Sequence, residues 1–208
     1  MKRYLIAALG AAAMLVAATA PTWAGNIIDD WASIQRPAAP KLKAVKVDPK
    51  TTALLMLDFM DRNCGKRPAC VASIPAVKKL LDAARAAKAT VIYSFIRNTT
   101  AANVIKDVAP QAGEPHVIAG PDKFLYTDLE KILKEKGIKT VIAVGTSANG
   151  AVLYTASGAA LRGMDVIVPV DGMSSAKRYS DLTTAFTFID APSVSKKTTL
   201  TTIDMVTF

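Results

Sequence analysis

The stretch from Thr140 to Gly172 constrains this chain most. A β-branched run, Val141-Ile142-Ala143-Val144, breaks at Gly145, and the small residues Ser147-Ala148-Asn149-Gly150-Ala151 follow. A second apolar run, Val166-Ile167-Val168-Pro169-Val170, closes on Asp171. Two such runs joined by about twenty residues of helix-compatible sequence read as one βαβ unit with parallel strands. Open sheets of this kind bind ligands beyond the carboxyl ends of their strands, so chemistry is expected at the Gly145–Ala151 turn.

The same alternation runs through the chain. Thr52–Leu57 reads as a buried strand ending at Asp58, Thr90–Ile96 as the second, and His116–Ala119 as the third. Ser73 is expected to cap a helix with Val77, Leu80, Leu81 and Ala84 at helical spacing, and a short helix is expected near Ala101–Val108. Thr127-Asp128-Leu129-Glu130 has the capping-box pattern; its helix would turn Leu129, Ile132 and Leu133 inward and stop at Gly137. Ser180 starts a last helix carrying Leu182, Ala185, Phe186 and Ile189, ended by Pro192, and a strand near Thr199–Ile203 closes the chain. Strands alternating with helices define an α/β class with a mostly parallel sheet covered on both faces.

Residues 1–24 read as an export signal rather than as part of the fold. Lys2 and Arg3 precede an apolar run to about Ala20, and Thr22-Trp23-Ala24 presents small residues for cleavage after Ala24. The run is short for a membrane anchor, so a periplasmic protein free of the membrane after cleavage is expected. Residues 25–50, with Pro37, Pro40 and Pro49, read as an extended segment, and 51–208 as the domain. In an oxidising compartment the two cysteines, Cys64 and Cys70, are expected to form a disulfide. The chain carries 26 Lys and Arg against 17 Asp and Glu, but its lysines scatter without an Arg block or interleaved aromatics. That pattern is a solvated surface, not a nucleic-acid site.

Several chemistries are excluded. Gly145 and Gly150 have phosphate-loop spacing, but Ala151-Val152 stands where Lys and Ser or Thr are required. There is no G-x-S-x-G elbow, the single histidine, His116, precedes an apolar strand, and no His/Cys/Asp cluster has metal spacing. A carboxylate and an ammonium remain. Asp58 ends the first strand, and Lys123 lies in Gly120-Pro121-Asp122-Lys123-Phe124 after the third. Such a pair lowers the Asp pKa, positions an oxyanion, or merely pairs on the surface.

These residues together resemble the isochorismatase-like hydrolase superfamily, which includes isochorismatases, nicotinamidases and N-carbamoyl amidohydrolases. The likeness runs from Thr52 to Ile203 through Leu54-Leu55-Met56-Leu57-Asp58, Lys123 with Thr127–Glu130, Gly137–Ile142, Gly145–Ala156, Gly163 and Val168–Asp171. It implies a three-layer α/β/α sandwich around a six-stranded, mostly parallel, Rossmann-like sheet. Amidase members use an Asp, a Lys and a Cys; the Asp matches Asp58, and the Cys position is occupied here by Ala151. A methyl group cannot attack a carbonyl, so the family's thiol chemistry is ruled out at this position. The isochorismatase variant of the segment, in which the thiol is absent, resembles Ala148-Asn149-Gly150-Ala151 more closely.

The resemblance therefore implies Asp58 as an acid/base and Lys123 as its electrostatic partner. Ser147, Asn149 and Gly150 are the implied substrate contacts, and the substrate is a small molecule. The metal-binding histidines of nicotinamidases have no counterpart in this sequence, so no metal and no other cofactor is expected; the resemblance implies a cis peptide at Thr146-Ser147 and a tendency to form homo-oligomers. The sequence departs from the pattern in two further ways. Met60 replaces a Gln two residues after the Asp, and Lys123 lies closer to the Thr127 helix than the family spacing, so a shortened loop either delivers it to the site or the Lys position is lost. The expectation is a hydrolase without a catalytic thiol; the alternative is an inactive member, a pseudoenzyme that binds a small molecule.

Overall fold

The computed structural model describes residues 25–208, so the expected export signal over 1–24 lies outside the described residues. The chain divides into two bodies, Met1–Ala39 and Pro40–Phe208. In the described part of the first, the Asn26 side-chain oxygen accepts from the amides of Ile28 and Asp29 at 2.9 and 3.1 Å. The amides of Ser33 and Ile34 close a turn on the Asp30 carbonyl.

The second body holds nine strands and four α-helices. The strands are β1 (Val45–Lys46), β2 (Thr52–Leu57), β3 (Thr90–Phe95), β4 (His116–Ile118), β5 (Thr140–Thr146), β6 (Asp165–Pro169), β7 (Met173–Ser174), β8 (Thr198–Thr201) and β9 (Val206–Thr207). The helices are α1 (Pro68–Ala86), α2 (Leu129–Glu135), α3 (Leu153–Leu161) and α4 (Arg178–Asp190). The main sheet runs β4-β3-β2-β5-β6-β8, with the short β7 adding a seventh strand beside β5. Every pairing in it is parallel. β1 pairs instead with β9, and the Lys43 amide reaches the Leu200 carbonyl, so residues 40–50 are tied to the domain.

The strand order reverses direction between β2 and β5. The chain builds outward from β2 toward β4 on one side and from β5 toward β8 on the other, which opens a crevice where their carboxyl ends diverge. Asp58 follows β2 and the Gly145–Ala151 turn starts in the last two residues of β5, so both elements that the sequence marks for chemistry arrive at this switch point.

The period-two alternation of β2 divides its side chains between the layers. Ala53, Leu55 and Leu57 pack with α2, α3 and α4 residues such as Leu133, Ala156 and Phe188. Leu54 and Met56 pack on the opposite face with Ile74, Val77, Leu81 and Ala84 of α1. A strand buried on both faces is apolar throughout, which is why β2 reads as a continuous run rather than an alternating one.

Gly145 is the one position in β5 where only glycine fits. Its φ is +150°, and a Cβ there would lie 2.2 Å from the Leu57 carbonyl oxygen. The close approach lets the end of β5 lie flat against the end of β2, beside Asp58.

Four local features differ from expectation. Helix α1 starts at Pro68, and Ser73 lies inside it, donating its hydroxyl to the Cys70 carbonyl at 2.7 Å. Proline at the first helical position has no N–H to leave unpaired and supplies the start that Ser73 was expected to give. The Thr127 capping box does not form, because the Thr127 hydroxyl donates to the Lys123 carbonyl while Glu130 is drawn away to Lys134 and Arg162. Helix α4 begins at Arg178 and buries Asp181, Thr184 and Phe188, leaving Leu182, Phe186 and Ile189 exposed. The expected short helix over 101–108 is two separate 3₁₀ turns.

Candidate active site

Asp58 is held in a conformation that few side chains adopt. Its φ is +59°, in the left-handed region that Asp tolerates better than most residues because its short side chain bonds locally. Its amide donates to the Ser94 carbonyl and its own carbonyl accepts from Met60, which fixes the turn at the end of β2. A backbone held in a sparsely populated region at the mouth of a sheet is a recurrent mark of functional positions.

The carboxylate of Asp58 is nearly buried and fully engaged. Oδ2 accepts from Lys123 Nζ at 2.7 Å, and Oδ1 accepts from Ser94 Oγ at 2.7 Å. Lys123 has no exposed surface, and its ammonium also donates to the Gly120 carbonyl at 2.7 Å. Burial pushes the Asp58 carboxyl above its ordinary 3.8, against the opposing pull of Lys123 first, then Ser94 and Arg67.

The short loop before α2 delivers Lys123. Its amide donates to Thr155 Oγ1 at 3.2 Å, which anchors the loop to α3, and the Phe124 amide is satisfied by Asp122 Oδ1. The loop is thus pinned to α3, and the Lys123 ammonium is held by the Gly120 carbonyl of the same turn.

Across from Asp58 the chain leaves β5 through a cis peptide between Thr146 and Ser147 and passes through a turn of π-helix, Ala148–Val152, into α3. π-Turns of this kind often occur at functional sites. Ala151 lies here, almost fully buried, and is one of the residues that line the cleft. The cleft has a volume of about 510 Å³ and is bounded by Asp58, Ser147, Gly150 and Ala151 together with Arg67 and Arg97. Such a volume suits a small-molecule ligand.

Asn149 does not line this cleft. Its side-chain oxygen accepts from Ser175 Oγ at 3.0 Å, and its amide donates to the same hydroxyl. Met60 is buried in the α1-side core, where it has no route to a ligand. His116 lies on the edge strand β4 with its ring stacked on Phe95, centroids 4.6 Å apart. Cys64 and Cys70 are joined by a disulfide.

Ser94, Asn63, Arg67 and Thr146 belong to the site and were missed in the sequence. Ser94 had a signal, since it is a small hydroxyl residue near the carboxyl end of a buried strand, and parallel register sets it opposite Leu57, next to Asp58. Arg67 had none, because only the fold brings it to Thr146, to which it donates from Nη1 at 3.0 Å.

The fold is a doubly wound α/β sheet with a buried carboxylate–ammonium pair and a tight turn at its switch point. The chain belongs to the isochorismatase family: the Isochorismatase domain model matches residues 52–195. Solved structures share the fold. A cysteine hydrolase from Pseudomonas syringae pv. phaseolicola superposes with a TM-score of 0.69 at 21% identity, covering 80% of this chain and 95% of that one. N-carbamoylsarcosine amidase from Thermoplasma acidophilum gives 0.63 at 22%, over 74% and 97%. The nicotinamidase of Staphylococcus aureus gives 0.63 at 19%, over 73% and 99%. No curated protein matches the sequence.

Proposed function

We propose that the protein hydrolyses a small molecule without a covalent thiol step, with Asp58 as acid/base and Lys123 as its electrostatic partner. The reading is supported by one observation above the rest: a buried carboxylate that lines the cleft lies 2.7 Å from a wholly buried ammonium that does not itself line it. Ala151 supplies shape where a family thiol would stand, so water is the nucleophile in this scheme. Asp58 takes a proton from the attacking water and returns one to the leaving group, and its raised pKa keeps both protonation states accessible nearer neutral pH than an ordinary carboxyl would. Lys123 holds the carboxylate in place and stabilises its charged form.

The periplasm is the proposed location, supported by the signal-like residues 1–24 and by the Cys64–Cys70 bridge. Among the described residues no helix is long and apolar enough to cross a membrane. The experiment is a panel of small vinyl ethers, activated esters and amides offered to the wild-type and Asp58→Asn proteins. Hydrolysis confined to the wild type is expected; turnover that survives Asp58→Asn unchanged removes Asp58 from the chemistry.

A further inference from the structure

The walls of the cleft carry more positive charge than its floor can use. Among the described residues Asp58 is the one acid that lines it, and Lys123 already pairs with that carboxylate. Arg67 and Arg97 add two guanidiniums that never lose their charge. Neither has an ion-pair partner among the described residues. Arg67 spends a single N–H on Thr146 Oγ1 and leaves the rest of its fork for water or ligand. The rest of the lining includes Ile96, Ala119, Pro121 and Ala151, which are apolar.

Arg67 is also unusually well held for a cleft residue. It lies between the two bridged cysteines, both without exposed surface. Its amide donates to the Cys64 carbonyl at 2.9 Å, and its carbonyl accepts from the Cys70 amide at 2.9 Å. The backbone of Arg67 is thus bonded on either side to the residues that the disulfide joins. Its side chain is aimed by Thr146 Oγ1, which itself donates to the Ser174 carbonyl at 3.0 Å. Anchored backbone and oriented guanidinium together reduce the ordering cost of binding.

We propose that Arg67, clamped by the Cys64–Cys70 bridge, is the anion anchor of the cleft, which takes a small organic carboxylate with an apolar body. Arg67 and Arg97 meet the carboxylate, Ile96, Ala119 and Pro121 meet the body, and Asp58 is left facing the reacting bond. The inference rests on the proposed hydrolase reading for its site but names the ligand class independently of turnover. The bridge and Thr146 act as positioning groups, not as contacts.

Benzoate and benzamide, nearly equal in shape and different in charge, are the probes, and inorganic phosphate tests for an anion without an apolar body. Titrations followed by NMR of the Arg67 side-chain N–H and the amides of Thr146–Ala151 are expected to show benzoate binding well ahead of the other two. Arg67→Gln is expected to weaken benzoate about tenfold or more, since hydrogen bonds to charged groups are the strong ones, and to leave benzamide unchanged. Arg67→Lys keeps the charge without the fork and should restore part of the loss. Reducing the bridge, with far-UV circular dichroism to show that the fold persists, should weaken benzoate by a smaller factor.

Equal binding of benzoate and benzamide, phosphate binding as well as benzoate, or insensitivity to Arg67→Gln would each overturn the ligand class. Unfolding on reduction, or full benzoate affinity after it, would overturn the clamp. Asp58→Asn separates the two readings. Loss of turnover with benzoate binding kept supports both, whereas Arg67-independent turnover of neutral substrates removes the carboxylate and leaves the hydrolase standing.

Discussion

Two carboxylates in this protein sit equally close to cations and respond in opposite ways. Asp58 is 2.7 Å from Lys123, and Glu130 is 2.6 Å from Lys134 and 2.8 Å from Arg162. Burial pushes Asp58 above its ordinary 3.8. Glu130, on the surface, falls from 4.5 to about 2, chiefly through the hydrogen bond from Arg162 and then that from Lys134. Distance to a cation therefore does not set the direction. Solvent does, because leaving water penalises a charge before any partner repays it. The pair at the switch point is costly to keep, and the place of Asp58 in the lining of the cleft is what would make that cost useful.

The largest effect should come from splitting the buried pair. Lys123→Met leaves a carboxylate, and Asp58→Asn leaves an ammonium, each buried without its partner. Each is expected to cost about 3–5 kcal/mol in urea unfolding. The double variant should be less destabilised than the two losses added, because neither charge remains. Losses that simply add would show that the two groups are not coupled and would dissolve the contrast with Glu130.

A smaller and more graded test is the titration of the Asp58 carboxyl by carbon NMR. Its midpoint is expected above 3.8 and should move further up when any opposing group is removed. The order is Lys123→Met first, Ser94→Ala next and Arg67→Gln least, following the strength of their opposing pulls. Stability follows with a definite sign. A carboxyl raised by folding contributes fully at pH below its unfolded value, and that contribution is lost as pH rises through the folded pKa. A midpoint below 3.8 in the wild type would mean that Lys123 outweighs burial and that the two carboxylates behave alike.

The two regions were not equally legible in the sequence. The doubly wound fold, Asp58 at the end of β2 and the tight turn after Gly145 follow from apolar runs, their punctuation and the needs of a close backbone approach, all of which are local. The surroundings of Asp58 are not local. Ser94 reaches it through strand register, Lys123 through a turn pinned by Thr155, and Arg67 through a disulfide loop distant in sequence from Thr146. The outward face of α4 was equally hidden. Its apolar residues Leu182, Phe186 and Ile189 have helical spacing, yet the helix sits with Asp181, Thr184 and Phe188 against the sheet. Glu130 departs from its local pattern for a related reason: its spacing from Thr127 fits a capping box, but Arg162, far along the chain, competes for the carboxylate.

The smallest effect belongs to Glu130, and its sign is the opposite of that for Asp58. A carboxyl lowered by folding contributes at pH above 4.5, and the contribution is lost as pH falls through about 2. Arg162→Gln should raise the Glu130 midpoint more than Lys134→Gln does, since the Arg162 bond is the leading cause. Added salt should raise it as well, because exposed charges are screened, while the Asp58 midpoint should hardly move. Arg162 also lies over the Phe124 ring, 4.3 Å from its centroid, so Arg162→Gln removes packing that Lys134→Gln leaves intact. Melting both variants at pH 7 and pH 3 separates the contributions. A loss equal at both pH values is packing, and a loss that shrinks at pH 3 is charge. If salt moved Asp58 as much as Glu130, burial would not be what distinguishes them.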